Sequence, residues 1–378
     1  MLDAIRSLIA WTPLGLPAFL FVITTVVFFH ELGHFLMARR FGVKVETFSV
    51  GFGKEIFGWT DRLGTRWKVS WLPIGGYVKF AGDANAASQP DAAAAEKMSA
   101  EEREGALLFK PLYQRALVAA SGPLANFILA IVILTGLTYF AGHTVIAPVI
   151  GQVTKGSAAE AAGIKPGDRV TRIDDTAITD FQQLPEIISV SGGVPLAIGI
   201  HRGNQDITLQ VTPRLTKIQD MLGNNTSQMV IGVRPDPKAP VTRQHFGVVG
   251  AFAAGCSQTW SIFKNTFLGI GQMIAGHASP DQLRGPVGIA NMTRQVADFG
   301  FLALLNLAAV LSVSIGLANL FPIPLLDGGH LLYYACEAVL GRPLGARAQD
   351  VGFRLGLVVV LGLMLLTTWN DLVRLNLF

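Results

Sequence analysis

The sequence predicts a membrane α-helical protein with four transmembrane helices, a membrane-associated β-hairpin and one external α/β domain. Two observations support this fold class. Of the 378 residues, 51% are apolar and only 15% are charged, whereas soluble domains are about one quarter charged. Four separate stretches also contain the roughly 20 consecutive apolar residues that a helix needs to cross a bilayer. The same composition excludes a disordered chain, which would be rich in charge and poor in large apolar residues.

The first transmembrane helix is predicted within residues 1–36. Its apolar stretch, Leu14–Leu36, contains one glutamate and two histidines. The stretch is too long for the apolar region of a signal peptide, lacks an A-x-A cleavage site and continues directly into two arginines. We therefore expect it to remain in the protein as a membrane span.

Three further spans are predicted at residues 116–140, 301–327 and 351–369. The second carries no charged residue, and the third none before Asp327. The fourth carries only Arg354, close to its start, where a long basic side chain can reach the membrane surface.

Lysine and arginine residues close to the span ends predict the orientation. They are concentrated in the loop 37–115 and recur in the loop 328–350, so both loops are expected in the cytoplasm. Residues 141–300 and both chain termini are then expected outside.

The apolar segment Gly247–Ile274 complicates this count of spans. It has a polar side, and Trp260 and Phe263 suit the membrane interface. We expect an interfacial amphipathic region at 245–300, while a fifth span remains the alternative.

The cytoplasmic loop predicts a β-hairpin. Arg66–Phe80 alternates well enough for two strands on either side of a turn at Pro73–Gly76. The segment Ala84–Ala100 is rich in alanine and serine, which indicates a flexible linker.

Residues 145–235 predict a compact α/β domain. A short helix is expected from Ala158, ended by Gly163 and followed by a strand at Arg169–Ile173. A second helix is expected at Phe181–Ser189, and two alternating segments after it form a hairpin, Pro195–Arg202 and Asp206–Thr212.

This pattern, and above all "AGIKPGDRV", resembles a PDZ domain of the bacterial protease-associated type. Such a domain accepts an extended peptide as an added strand. The alternative is that the domain is a spacer or a steric gate that binds no peptide.

Charge and cysteine content exclude other classes. The net charge of +4 is not gathered into a basic patch with interleaved aromatic residues, so no nucleic-acid partner is expected. Cys256 and Cys336 are too few for a disulfide framework or a thiolate metal cluster, and they are predicted on opposite sides of the membrane core, where they do not pair.

The motif His30-Glu31-Leu32-Gly33-His34 lies inside the first span. Residues four apart share one face of a helix, so both imidazoles can bind one zinc ion, with Glu31 placed to take a proton from water at the metal. Ionisable groups in an apolar helix are costly unless they are paired or coordinated. The alternative is a buried cluster of hydrogen-bonded histidine and glutamate.

A catalytic zinc ion takes a third protein ligand. The third span ends in "NLFPIPLLDGGH", whose prolines break the helix and hold Asp327 close to the membrane. Asp327 is the preferred third ligand and His330 is a rival. Alternatively, Asp327 only caps the helix that starts at Gly328.

The motifs "HELGH", "GPLAN" and "NLFPIPLLDGG", in this order, resemble the site-2 protease family of intramembrane zinc proteases. The segments "SVGFG" and "PIGGYVKFAGD", with the PDZ-like domain, narrow the resemblance to the bacterial regulator-of-sigma-E protease type. The resemblance implies His30, His34 and Asp327 as ligands of one Zn²⁺ ion per chain, Glu31 as the catalytic base and Asn319 as an aid at the substrate carbonyl. Well-known members of this type carry two tandem PDZ domains, whereas one is visible here.

The resemblance also implies substrates and a location. The expected activity is cleavage within or near the transmembrane segment of single-span proteins that another protease has already cut, such as anti-sigma factors or signal-peptide remnants. The expected location is the bacterial inner membrane, with the PDZ-like domain in the periplasm and the active site near the cytoplasmic side.

Substrate binding is expected at the predicted hairpin, where Gly75, Gly76 and Tyr77 hold an unwound segment as an added strand. Asn126 is a further candidate, although an asparagine in a span also serves as a hydrogen-bonding group between packed helices. A metal-ion transporter and a non-catalytic scaffold remain as alternative functions.

Overall fold

The computed structural model describes residues 14–83, 98–219, 225–276 and 283–374. The start of the predicted region 1–36 and most of the predicted linker Ala84–Ala100 lie outside the described residues. The chain forms two compact units, one of residues 1–134 and 285–371 and the other of residues 135–284 and 372–378.

The described chain contains both helices and strands. The helices are α1 (Gly15–Arg40), α2 (Ala100–Gly105), α3 (Leu112–Ala141), α4 (Ala158–Ala161), α5 (Gln183–Ser189), α6 (Val248–Ile274), α7 (Pro286–Ala297), α8 (Phe301–Asn319), α9 (Asp327–Leu340) and α10 (Ala346–Arg374), with a 3-10 turn at Leu107–Phe109. The strands are β1 (Val45–Thr60), β2 (Arg66–Phe80), β3 (His143–Ile146), β4 (Ile150–Val153), β5 (Arg169–Ile173), β6 (Thr176–Ala177), β7 (Leu196–Arg202), β8 (Gln205–Val211), β9 (Arg214–Gln219), β10 (Asn225–Val230), β11 (Val233–Pro235) and β12 (Val241–Gln244).

Four helices among the described residues are long and apolar enough to cross a membrane. They are α1, α3, α8 and most of α10, and they coincide with the four stretches predicted from composition. The helix α6 is not among them, and its interfacial position stays a prediction.

The strands β1 and β2 correct the predicted hairpin. Arg66–Phe80 is a single strand, and its two ends do not pair with each other. Both ends pair with the same residues of β1, since Val50 lies opposite Val69 and also opposite Gly76. The hairpin is formed by the C-terminal half of β1 and the start of β2, with Thr60 opposite Arg66. The alternation of apolar and polar residues within Arg66–Phe80 predicts strand structure, but it does not indicate that the partner is β1.

The third predicted span is shorter than expected. Helix α8 ends at Asn319, and a new helix starts at Asp327. Pro322 and Pro324 lie between them, and proline has no backbone N–H to continue a helix. The predicted loop 328–350 is also corrected, because α9 occupies residues 328–340 of it. Gly341 follows the helix, and its φ of +67° suits a helix C-terminus.

The second unit contains a four-stranded antiparallel sheet in the order β6-β5-β7-β8. The predicted strand at Arg169–Ile173 and the hairpin after it are confirmed, with Leu196 opposite Val211. Helix α5 packs on this sheet through Leu184 and Ile188, both of which are buried. The described part of the predicted region 245–300 contains the helices α6 and α7, of which α7 belongs to the first unit.

Candidate metal centre

Three side chains from distant parts of the chain converge at one point in the first unit. The Nε2 atoms of His30 and His34 lie 3.2 Å apart. Asp327 Oδ2 lies 3.1 Å from His30 Nε2, and Asp327 Oδ1 lies 3.4 Å from His34 Nε2. These three residues form the one group of histidine, cysteine and acidic side chains among the described residues whose ligand atoms lie within 4.8 Å of one another.

Local structure explains how each of these side chains reaches the centre. His30 and His34 are one turn apart on α1, so both rings leave the same helix face. Asp327 is the first residue of α9, two residues after Leu325, whose φ is +116°. The capping alternative for Asp327 is wrong, because the N-cap position of α9 is Leu326 and no side chain caps it.

Helix α3 contacts the outward-facing nitrogen of each imidazole. His34 Nδ1 lies 2.8 Å from the carbonyl oxygen of Val118, which can only accept a hydrogen bond. Nδ1 therefore carries the proton, and the lone pair of Nε2 points to the centre. The side-chain amide of Asn126 lies 3.3 Å from His30 Nδ1, and this asparagine is fully buried.

Two glycines let α1 and α3 approach each other this closely. A Cβ atom on Gly122 would overlap the ring of His34. A Cβ atom on Gly33 would overlap the carbonyl oxygen of Ser121 and lie 2.7 Å from the Cβ of Ala125. The two helix motifs found in the sequence are therefore the two sides of one contact.

A cavity of about 200 Å³ opens beside the three ligand atoms. Glu31 and Asn319 line it together with Gly76 and Tyr77 of β2. A Cβ atom on Gly76 would lie 3.4 Å from Glu31 Cγ, which places that end of β2 directly against the acid.

Three residues considered in the sequence occupy other positions. Gly75 is buried and lies against the ring of Phe52 rather than on the cavity wall. Asn126 contacts His30 and does not line the cavity. His330 lines the cavity but lies outside the converging group of three ligands.

The donor set fits a zinc ion. Ligand atoms about 2.0–2.1 Å from a tetrahedral ion are about 3.3 Å from one another, which agrees with the observed separations of 3.1, 3.2 and 3.4 Å. Asp327 Oδ2 is buried and has no hydrogen-bond partner, so it retains a free lone pair. Two imidazoles and a carboxylate form a common set of three protein ligands at catalytic zinc sites.

Comparison with known proteins agrees with this geometry. The model of peptidase family M50 matches residues 18–363. The chain belongs to that family, which is the site-2 protease family. Members of the family are zinc metalloproteases, and with its four apolar helices the protein is an integral membrane zinc metalloprotease.

Several bacterial relatives are similar over almost their whole length. A protein of Agrobacterium fabrum named "Putative zinc metalloprotease Atu1380" is 44% identical over 94% of this chain and 94% of its own. A protein of Rhizobium meliloti named "Putative zinc metalloprotease R01501" is 45% identical, covering 94% of this chain and 96% of its own. "Metalloprotease MmpA" of Caulobacter vibrioides is 38% identical over 96% of both chains.

Sequence reasoning missed three features near the site. The carbonyl group of Val118 is part of the backbone and carries no sequence signal. Arg115 and Tyr334 also line the cavity, but they lie in segments that were assigned to loop regions. Arg115 lies directly before an apolar span, a position that indicates membrane orientation. The same residue also faces the site.

Proposed function

We propose that this protein is an intramembrane zinc endopeptidase that cleaves single-span membrane proteins within or near their transmembrane segments. The observation that carries the proposal is the convergence of His30, His34 and Asp327 beside a cavity that also contains Glu31. These three residues hold one zinc ion per chain. When bound, zinc supplies a Lewis acid that polarises the scissile carbonyl and acidifies an attacking water.

Glu31 acts as general base and then as general acid. Its carboxylate takes a proton from the attacking water and passes it to the nitrogen of the leaving amine. Val78 lines the same cavity as this carboxylate. Asn319, at the end of α8 and on the cavity wall, donates its side-chain N–H to the carbonyl oxygen as negative charge develops there.

Asn126 orients His30 rather than contacting substrate. Its Oδ1 atom is buried without a hydrogen-bond partner, while its nitrogen lies 3.3 Å from His30 Nδ1. The oxygen and nitrogen of an amide are distinguished only by their hydrogen bonds. With the amide turned over, Oδ1 accepts from Nδ1–H, and His30 Nε2 keeps its lone pair for the metal.

The substrate binds as an extended strand beside residues 76–80 of β2. Gly76, Tyr77 and Val78 border the cavity, and a Cβ atom on Gly76 would lie 3.4 Å from Glu31 Cγ. A strand added here lies next to the acid. A helical substrate hides its carbonyl groups in its own hydrogen bonds, so it must unwind before it binds in this way.

Residues 145–235 of the second unit act as a PDZ-like domain that binds peptide. A groove of about 640 Å³ runs between α5 and the segment 228–234, with Leu184 and Ile188 on one wall and Met229 on the other. An apolar side chain of an extended peptide fits such a groove. Without that binding, the domain serves as a spacer or steric gate.

The protein resides in the bacterial inner membrane, with the PDZ-like domain 145–235 in the periplasm and the metal site near the cytoplasmic side. Its substrates are proteins that another protease has already shortened, of the anti-sigma-factor or signal-peptide-remnant kind. This orientation rests on the basic residues that flank the apolar helices.

Substitution Glu31→Gln tests the proposed reaction. We expect the variant to retain zinc and to lose cleavage of a reporter transmembrane segment, because the amide cannot take up a proton. The matched control is Glu104→Gln, which removes an exposed carboxylate. Zinc retention with undiminished cleavage would refute the role of Glu31, and metal transport without any proteolysis would favour a transporter.

Backbone methylation tests the added strand. Synthetic single-span peptides with one N-methylated amide each are compared at successive positions on one side of the cleaved bond. Because alternate amides of a strand point in opposite directions, cleavage should be lost at every second position. A loss without this period of two would refute binding as a strand.

A further inference from the structure

A nearly buried ion pair connects the start of α3 with the last turn of α9. Arg115 Nη1 and Nη2 donate to the two carboxylate oxygens of Glu337 at 2.9 and 2.5 Å. The side chains of Arg115 and Glu337 are 11% and 15% exposed. Arg115 Nε donates to the carbonyl of Lys110 at 3.0 Å, and the guanidinium lies 5.0 Å from the ring centre of Tyr334. All three nitrogens of the guanidinium therefore have partners, and its orientation is fixed.

The reaction chemistry leaves this pair without a role. Removing two charges from water costs several kcal/mol for each ion, so a buried pair is weak evidence for stability alone. Where such pairs are retained, the best-supported use is to fix one arrangement among several. Arg115 lines the same cavity as Glu31 and Asp327. We therefore expect the ion pair to fix the arrangement of the side chains at the metal site.

Helix α9 is the part of the site with the weakest connection along the chain. It carries Asp327, and residues 320–326 before it are not helical. Pro322 and Pro324 interrupt the backbone hydrogen bonds there, so α8 cannot transmit its rotation to α9. A contact elsewhere on α9 must therefore fix its rotation and its position along its axis.

Glu337 is suited to provide that contact. It follows Asp327 by ten residues, about 15 Å along a helix, and the spacing through His330 and Tyr334 keeps all four side chains on one helix face. Fixing both ends of this face fixes the rotation of the helix. The ion pair acts at one end and the metal centre lies at the other.

One turn of α3 contacts both parts of the ligand set. Val118, three residues after Arg115, accepts the hydrogen bond from His34. Arg115 holds the helix that carries Asp327. The same backbone segment therefore relates the two histidines of α1 to the carboxylate of α9.

We propose that Arg115 is a positioning residue that acts through Glu337 to set Asp327 against His30 and His34. The proposal rests on the metal site described above. Without the ion pair, α9 gains freedom to rotate and the third ligand is held less well. The predicted consequence is weaker zinc binding and a distorted ligand geometry in a protein that remains folded.

The test compares Arg115→Met, Glu337→Gln and the double variant with the unaltered protein in detergent. One readout is zinc retained against graded concentrations of a chelator. The other is the visible absorption spectrum of the Co²⁺-loaded protein, which reports ligand geometry independently of catalysis. We expect each single variant to weaken zinc binding ten- to a hundredfold and to change the cobalt spectrum. The double variant should be no worse than either single one, because both remove the same interaction.

Two further variants separate positioning from a general loss of structure. Arg115→Lys keeps the charge but not the two-point contact, and it should recover part of the zinc affinity. Glu55→Gln breaks the exposed ion pair with Arg66, and it should leave both readouts unchanged. Unaltered zinc affinity and cobalt spectra in both single variants would overturn the positioning role. Absence of zinc from the unaltered protein would instead refute the metal site itself.

Discussion

The carboxylate of Asp371, near the end of α10, accepts a hydrogen bond from the backbone N–H of Gly288 at 2.7 Å. Its other oxygen accepts from the N–H of Gly285 at 3.2 Å, and Asp371 is only 1% exposed. The first turn of α7 is thus capped by a side chain from another helix. A Cβ atom on Gly285 would lie 2.7 Å from a carboxylate oxygen of Asp371, and one on Gly288 would overlap the other oxygen, which explains why both positions are glycine.

Substitution Asp371→Ala should destabilise α7. It leaves two N–H groups at the helix start without their acceptor, and the loss of a cap costs about 1–2 kcal/mol. We expect faster hydrogen exchange in the first turn of α7 and a lower Tm in detergent. The control, Asp350→Ala, removes an exposed aspartate. Equal exchange in both variants would contradict the capping role.

Substitution Gly122→Ala should damage the metal site. The added methyl group overlaps the ring of His34, and overpacking of this kind typically costs 1–3 kcal/mol. Gly136→Ala is the matched control on the same helix, because a Cβ atom there meets no neighbour within 4 Å. We expect reduced zinc retention for the first variant only. Comparable retention in both would show that α1 and α3 do not pack in this way.

Two substitutions at Asn126 test its contact with His30. Asn126→Leu should weaken zinc binding ten- to a hundredfold, the usual effect of losing a group that orients a metal-binding histidine. Asn126→Asp keeps an acceptor for Nδ1–H and should retain zinc. Ser314→Ala is the control, since its hydroxyl bonds to the carbonyl of Val310 in its own helix. Full zinc retention by Asn126→Leu would show that Asn126 serves helix packing rather than the orientation of His30.

Removal of the metal should lower the free energy of unfolding, because a ligand that binds the folded state stabilises it. A ligand at one hundred times its Kd stabilises the folded state by about 2.7 kcal/mol. Chelation should therefore lower the Tm of the protein in detergent, and added Zn²⁺ should restore it. Asp327→Asn should show a smaller response, because the amide is a poorer ligand. Identical responses would place the metal elsewhere in the chain.

Acid should weaken the second unit through Asp168. Burial raises the pKa of this carboxyl group, but the hydrogen bonds from Arg202 and from the N–H of Lys165 outweigh it, so the pKa lies below its usual value. A lowered pKa in the folded state gives stability that is complete above the unfolded pKa, near 4, and is lost as the pH falls through the folded value.

Substitution Asp168→Asn tests this dependence. At pH 7 it should cost about 2 kcal/mol, a usual value for hydrogen bonds to a charged group. Hydrogen exchange of β5 and β7, compared between variant and native protein at each pH, should show a difference that shrinks below pH 4. A constant difference across the range would show that the ionised form of Asp168 is not the stabilising one.

The sequence by itself determined the four apolar helices, the pair of histidines on one face of α1 and three strands of the second unit, β5, β7 and β8. These features depend on hydropathy and on spacing within one element. Periodicity carries that information directly, because residues four apart on a helix or two apart on a strand share a face. The broken end of the third span indicated Asp327 as the third ligand, and family resemblance supported it and added Asn319.

Tertiary structure decided which distant groups meet. The two ends of Arg66–Phe80 pair with β1 rather than with each other, and Asn126 contacts His30 rather than the cavity. The pairing of Arg115 with Glu337 spans 222 positions. Contacts of this kind depend on how helices pack and on which buried polar groups find partners, and no local pattern in the chain encodes them.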